Sequence, residues 1–508
     1  MRRWWTARGL TAKGLTLVAC MGLALQAACT QVRNPATGEL QYTSLSPADE
    51  KKLGDEEAPK AEAQFGGAYQ DAKLQAYVTR VGTRIKNASE LKDQPFTFTV
   101  LDSDIVNAFA LPGGHVFVTR GLLALANNEA ELAGVLGHET GHVTARHTAQ
   151  RYDRAQLGQI GAVAAQLGGA LLGGYLGGSQ GAQAGAQAAG QLGSYGAQAY
   201  VQGFSREQEF QADELGIRYL ANAGYDPDAM ASFLGALEAN EAFQAKLSGG
   251  SQGGSVLDSW LASHPRTPDR VARAAQEEAS AVPRARDTDP AAYLAAIQGM
   301  IYGDDPAQGI VKGTRFEHPE LRIAFEAPAG FKLQNQPDAV LGSDGRGRLM
   351  QFTQAAKGAG RDPAGYLRDK GLRNVQTLSV NGLDAAVGFG QVGVNQRPAA
   401  AMVAIVRAED GAAYQLLYLR VGASLSSADT AAFEDSLRSF RTLSASEAAA
   451  IRPLRIDIVT VGAGDTIDSL GRQMAVEQDP VGLFALLNGF DRGRRLVPGE
   501  KVKLVRQG

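Results

Sequence analysis

His138-Glu139-Thr140-Gly141-His142 is the stretch from which the rest of this chain is read. On a helix, residues four apart lie about 40° apart, so both imidazoles can reach a single metal ion. Neutral imidazoles suit zinc, and Glu139 between them sits where a general base for a zinc-activated water belongs. Five residues are a short motif, and the flanking sequence has to support it.

It does so by predicting a helix. Asn128-Glu129-Ala130-Glu131 reads as an N-cap followed by a capping-box glutamate, with two acids at the favourable end of the helix dipole. Leu132, Val135, Leu136 and Val143 follow at helical spacing. That rotation puts Glu139 near the centre of the apolar face and the histidines on its shoulder. The competing reading is a buried helix whose histidines only hydrogen-bond.

A two-histidine zinc site needs a third protein ligand and one open position. Between Ala155 and Ser205 the chain carries no charge, with glycines every four residues from Gly169 to Gly185. A flap, a close-packed hairpin and a membrane-dipping segment all fit that composition. Charge returns at Ser205-Arg206-Glu207-Gln208-Glu209-Phe210-Gln211-Ala212-Asp213. Glu209 and Asp213 share one face of a second helix, so Glu209 can be the ligand and Asp213 an acceptor for a ligand histidine's N–H. The plain alternative is an ordinary acidic helix face.

At these two motifs the chain resembles the HtpX and CAAX-prenyl-protease family of zinc metallopeptidases, closest in layout to its periplasmic BepA-like branch. Asn107-Ala108-Phe109 and His264-Pro265 match the same family, and the resemblance covers about Ser46 to Ala275. It implies one zinc per chain held by His138, His142 and Glu209, with Glu139 as the base. It also implies that His264 can approach the zinc and block the water position; an imidazole there could equally stabilise an oxyanion, and a surface helix cap is the plain alternative. The branch's C-terminal helical repeats are not apparent. Asn107, Ala108 and Phe109 can form an edge strand that holds extended substrate by main-chain pairing, with an ordinary turn residue as the alternative for Asn107. His115, His147 and His318 have no partner motif and are read as structural or exposed.

Working outward, 508 residues suggest about three domains, and 44% hydrophobic content supports real cores. A net charge of −3 gives no reason to expect nucleic acid as a partner. Cys20 and Cys29 are the only cysteines, so no disulfide framework is expected in the folded part. Arg2, Arg3, Arg8 and Lys13 precede the uncharged run Gly14 to Ala28, a signal-peptide pattern. Leu25-Gln26-Ala27-Ala28-Cys29 resembles a bacterial lipoprotein cleavage site, which implies lipidation at Cys29; Gln26 departs from the usual aliphatic residue. Residues 1–29 are thus expected as leader and 30–45 as a tether. Ser46-Pro47 opens a helix, Leu74, Tyr77, Val78, Val81 and Ile85 mark a second, and Phe96, Phe98 and Val100 alternate as a strand.

After the peptidase domain (46–278), a proline-containing, charge-alternating stretch is expected as a linker (279–312). Residues 313–445 then read as an α+β accessory domain without a catalytic constellation. Leu321–Phe325, Arg348–Phe352, Ala400–Val406 and Tyr414–Val421 are its strands, and Asp362–Gly371 and Ser427–Phe440 its helices. The last unit, 455–506, runs strand, Gly464-Asp465-Thr466 turn, two helices and a closing strand. This βααβ pattern resembles a LysM domain, which implies binding to peptidoglycan.

The expected fold class is therefore α+β: a gluzincin-type zinc metallopeptidase domain, an α+β accessory domain and a small βααβ LysM-like domain. The expected function is a zinc endopeptidase of the bacterial envelope acting on misfolded or misassembled envelope proteins. It would sit in the periplasm as an outer-membrane lipoprotein, held to the membrane by lipid and near the wall by its last domain. A chaperone with latent proteolysis and a peptidoglycan-binding scaffold are the alternatives.

Overall fold

A computed structural model describes residues 30–154, 203–247, 264, 290–394, 397–491 and 493–508. The leader, the charge-free run 155–202 and the expected linker residues 279–289 lie outside the described residues. No helix among the described residues is long and apolar enough to cross a membrane.

The first unit opens with the hairpin β1 (Thr30–Arg33) and β2 (Leu40–Thr43), where the sequence suggested only a tether. It is pinned to the body: Asn34 Nδ2 donates to the Ala145 carbonyl at 3.0 Å. Helix α1 (Pro47–Gln64) starts at a Ser46 capping box with proline at its first turn. Helix α2 (Ala72–Asn87) buries Leu74, Val78, Val81 and Ile85, the face its spacing predicted. A three-stranded sheet follows, β3 (Thr97–Leu101), β5 (His115–Thr119) and β4 (Ala108–Leu111) in that order, so β4 is at its edge. Gly113 and Gly114 turn β4 back into β5 with φ of 80° and 91°, a region that side chains other than glycine rarely adopt. A short helix α3 (Arg120–Leu125), not foreseen, leads into α4 (Glu129–Thr144); α5 (Arg206–Ala223) and α6 (Ala229–Leu247) pack against α4.

Pro290–Ile297, inside the stretch expected as linker, is a helix, α7, whose Tyr293, Leu294 and Ile297 are buried in the same core as α2 to α6. The strand β6 (Ile301–Tyr302) follows it.

The second unit has its own core. Strands β7 (Ile310–Lys312), β8 (Arg315–His318), β9 (Ile323–Glu326), β10 (Lys332–Gln336), β11 (Ala339–Ser343) and β12 (Arg348–Gln354) precede helix α8 (Pro363–Asp369). They are followed by β13 (Arg373–Val380), β14 (Leu383–Val394), β15 (Arg397–Arg407) and β16 (Ala413–Val421), then helix α9 (Ser427–Ser439) and β17 (Arg441–Thr442). Seven strands form one antiparallel sheet, β10-β11-β12-β16-β15-β14-β13, and four form another, β17-β9-β8-β7. Met402, Ala404 and Val406 of β15 and Tyr414, Leu416 and Tyr418 of β16 alternate onto one face. There they meet Phe433 and Leu437 of α9.

After the short helix α10 (Ala445–Ala450), the chain returns to the first unit. Strand β18 (Leu454–Thr460), helices α11 (Ile467–Gly471) and α12 (Pro480–Leu487) and strand β19 (Lys501–Gln507) make the expected βααβ order. β18 pairs antiparallel with β19 and also with β6, through Leu454 opposite Tyr302. Ile456, Leu470, Phe484, Val502 and Leu504 belong to the same contiguous core as α2 to α7. This module is packed into the first unit, although it follows the accessory sheet in sequence.

Candidate metal centre

Helix α4 starts where the sequence places it. The Asn128 side chain accepts from Glu131 N, but the Glu131 carboxylate reaches one residue further back than a capping box, to Asn127 N at 2.8 Å. Its other oxygen accepts from Ser232 Oγ on α6 at 2.7 Å. Beside it, Glu129 accepts from Arg80 Nη2, Tyr77 and Tyr225 at 2.6–2.7 Å. Burial pushes that carboxyl up, yet the Arg80 guanidinium and the two tyrosine hydroxyls outweigh burial and hold it down at about 2. The helix is enclosed on nearly every side, rather than only on the apolar stripe the sequence suggested.

The second ligand helix comes close because the crossing is made of small residues. A Cβ on Gly141 would lie 3.0 Å from the Ala212 carbonyl, and one on Gly216 would lie 3.0 Å from His138 N. Gly137 and Gly141 on α4 and Ala212 and Gly216 on α5 thus let two backbones approach as larger side chains could not. α5 begins at a capping box between Ser205 and Gln208 and ends at Gly224 in the left-handed region. Along it, Glu209 and Asp213, one turn apart, face α4.

The result is a compact set of donors. His138, His142, Glu209 and His264 each offer a ligand atom, and these atoms all lie within 4.8 Å of one another. His138 Nε2 and His142 Nε2 are 3.0 Å apart, and each is 3.6 Å from an oxygen of Glu209. All four residues are buried, as is Glu139.

The other ring nitrogens decide what these donors can hold. His138 Nδ1 is 2.9 Å from Asp213 Oδ1, so it carries the proton and donates it. His142 Nδ1 is 2.9 Å from His147 Nδ1, and His147 Nε2 is 2.8 Å from Gln211 Oε1. The Gln211 oxygen facing the ring selects one arrangement of that chain with neutral rings. His147 donates from Nε2 to the Gln211 carbonyl oxygen and accepts at Nδ1 from His142 Nδ1–H. Burial lowers His147 to about 4, which keeps it neutral and able to accept. In that arrangement both motif histidines present an unprotonated Nε2 toward each other and toward a carboxylate. Zinc–nitrogen bonds of ~2.0–2.1 Å in a tetrahedron put neighbouring donors about 3.4 Å apart, close to the spacing found here. The donor set fits a zinc ion.

Sequence reasoning missed two residues at this site. His147 was read as structural or exposed, yet it is fully buried and orients His142. Its position five after His142, near the end of α4, was the available signal. Phe204 stacks on the His142 ring with centroids 4.0 Å apart, and nothing in its spacing announced that. His115, by contrast, lies between Thr97 and Asp55, away from the donor set. Ala108 and Phe109 lie on the edge strand β4, and Asn107 immediately precedes it.

Two histidines one turn apart and a carboxylate from a second helix, with a buried glutamate between the histidines, make a cluster that could hold a metal ion. Residues 72–278 match peptidase family M48, and the chain carries a metallopeptidase domain of that family, whose metal is zinc. It is 33% identical to a beta-barrel assembly-enhancing protease of Yersinia pestis over 39% of this chain and 40% of that one. It is 29% identical to the mitochondrial metalloendopeptidase OMA1 of Schizosaccharomyces pombe over 42% of this chain and 59% of that protein. It is 28% identical to the metalloprotease LoiP of Escherichia coli over 46% of this chain and 81% of that one. The chain spans about two-fifths of the length of the beta-barrel assembly-enhancing proteases it matches.

Proposed function

We propose that this protein is a zinc-dependent endopeptidase of the bacterial cell envelope that cleaves misfolded or misassembled envelope proteins. The observation that carries the chemistry is the pair of fixed tautomers: Asp213 and His147 leave two Nε2 lone pairs facing Glu209. His138, His142 and Glu209 are the residues that hold zinc. Bound by these residues, zinc would supply Lewis-acid polarisation of a scissile carbonyl and a water acidified to a pKa of ~7. Glu139 accepts the proton of the attacking water and later delivers it to the departing amine. The edge strand β4 offers main-chain groups for an extended substrate, which suits unfolded chains of many sequences. Relatives named for β-barrel assembly support an envelope role. Lipidation at Cys29, an outer-membrane position and wall binding by a LysM-like βααβ module complete the reading, motivated by the leader pattern and the element order.

The test is metal content and cleavage of an unfolded protein by the purified chain. Glu139→Gln is expected to keep stoichiometric zinc and lose cleavage by at least about a hundredfold. Glu209→Ala is expected to lose the metal; a Glu209→Ala protein with full zinc would remove Glu209 from the ligand set.

His264 favours a second, compatible reading in which the peptidase is held quiet. Its Nδ1 lies 3.2 Å from His138 Nε2 and 3.0 Å from Glu209 Oε1, and its Nε2 lies 3.6 Å from Glu139 Oε1. An imidazole at that point occupies the place a substrate-attacking water needs. His264→Ala is expected to raise the initial rate at matched zinc content. A drop of about a hundredfold would instead make His264 an oxyanion donor.

A further inference from the structure

The βααβ module reaches the peptidase with a lysine that no chemistry above uses. Lys503, on β19, has no solvent exposure. Its Nζ donates to the carbonyl oxygens of Ala124 at 2.9 Å and Ala126 at 2.8 Å, with that of Leu125 at 3.4 Å. These are the carbonyls at the end of α3, groups that a helix terminus leaves without intrahelical partners. An ammonium has three hydrogens to give and sits favourably at the negative end of a helix dipole.

The place that Lys503 grips matters more than the grip. Ala126 is followed by Asn127, whose N–H is held by Glu131, and by Asn128, the N-cap of α4. The lysine therefore fixes the point from which the helix bearing His138, Glu139 and His142 sets out. Lys503 is itself held at its main chain: its N–H donates to Asn488 Oδ1 at 2.7 Å, and Asn488 Nδ2 donates to its carbonyl at 3.0 Å. α12 packs on both α3 and α6, and Lys246 of α6 pairs with Asp479 at the start of α12. Burial draws the amine down to about 7, even with the Glu131 carboxylate pulling the other way. A side chain with no solvent exposure whose Nζ donates to three carbonyls has little freedom to move.

We propose that Lys503 is a positioning residue of the peptidase: through the end of α3 it sets the start of the active-site helix, making the C-terminal module a working part of the enzyme. This rests on reading the His138, Glu139, His142 and Glu209 site as a peptidase. Displacements of about 1 Å at a reacting centre can cost about a hundredfold in rate, so a tilt of α4 is felt in turnover.

The experiment uses the full mature chain loaded with zinc and a fluorogenic unfolded peptide, with kcat, KM, zinc content and thermal midpoint measured together. Lys503→Met keeps the side chain's length and removes its donors. It is expected to lower kcat about tenfold or more, with KM within about twofold and zinc retained. Lys503→Arg, which keeps a cation and donors, is expected to recover most of that loss. Leu470→Ala, a cavity elsewhere in the module's core, is expected to lower the thermal midpoint without lowering kcat at a temperature where it is folded. Unchanged kcat in Lys503→Met, or an equal fall in Leu470→Ala, overturns the proposal. Should Lys503→Met not fold, Asn488→Ala, which frees the lysine's main chain, takes its place with the same two outcomes. Absence of cleavage in the wild-type chain would instead overturn the peptidase reading.

Discussion

Two buried polar clusters sit along one helix, and they differ in whether the protein completes them by itself. At the start of α4, Glu129 is matched by Arg80, Tyr77 and Tyr225, and Lys503 by three carbonyls. Every charge there has an opposite charge or a dipole arranged for it. Half a helix further on, His138, His142, Glu209 and His264 gather four possible ligand atoms within 4.8 Å of one another. Burying donors in this way is costly unless a cation joins them. The first cluster is architecture, and the second is a socket. Burial alone does not separate them; the balance of donors and acceptors does.

The sharpest way to break that comparison is to keep every donor and spoil only the approach of the two helices. Gly216→Val puts a branched side chain where a Cβ alone would lie 3.0 Å from His138 N and 2.9 Å from Met230 Cε. The expected result is loss of stoichiometric zinc and at least about a hundredfold loss of cleavage, as overpacking forces backbones apart. Full zinc in this variant would mean that the crossing is not what sets the ligand spacing.

A smaller effect is expected at the self-completed cluster. Glu129→Gln leaves Arg80, Tyr77 and Tyr225 around a neutral amide, at an expected cost of about 2–4 kcal/mol in unfolding free energy. Arg80 is half exposed, which places the cost toward the lower end. Zinc stoichiometry should stay intact, and urea unfolding with zinc analysis reads both. Loss of zinc with no loss of stability would invert the assignment of the two clusters.

The smallest effect is a pH dependence with a defined sign. Glu129 is held at about 2 in the folded chain against an ordinary 4.5, so its contribution is fully present above pH 4.5. It is lost as pH falls from 4.5 toward 2. The stability gap between wild type and Glu129→Gln should therefore narrow by about 2 kcal/mol between pH 7 and pH 3. Zinc, which needs neutral histidines, should leave at higher pH, before this gap begins to close. A gap that stays constant down to pH 3 would show that Glu129 is not held as a carboxylate.

How much of this was legible follows from the range of each interaction. The helices α2, α4, α5 and α9 were readable because apolar spacing and capping residues act within a few turns. The strands β15 and β16 were readable from their continuous apolar runs. The pair β13 and β14 was not. β13 is mostly exposed along its length, and β14 runs through Gly388, Gly390 and Gly393, so neither shows a clean alternation. The residues 290–302 read as linker because their sequence says nothing of the core that they complete.

By itself the sequence determined the chemistry that the site can support: two histidines a turn apart, a glutamate between them, and a later glutamate and aspartate a turn apart. Those relations are set by helical periodicity, which is local. Only the tertiary structure decided that His147 and Phe204 orient His142 and that Lys503 grips the end of α3. Each of these joins side chains brought together by a shared buried core. That burial is non-directional and proportional to area, so no short stretch of sequence carries its address.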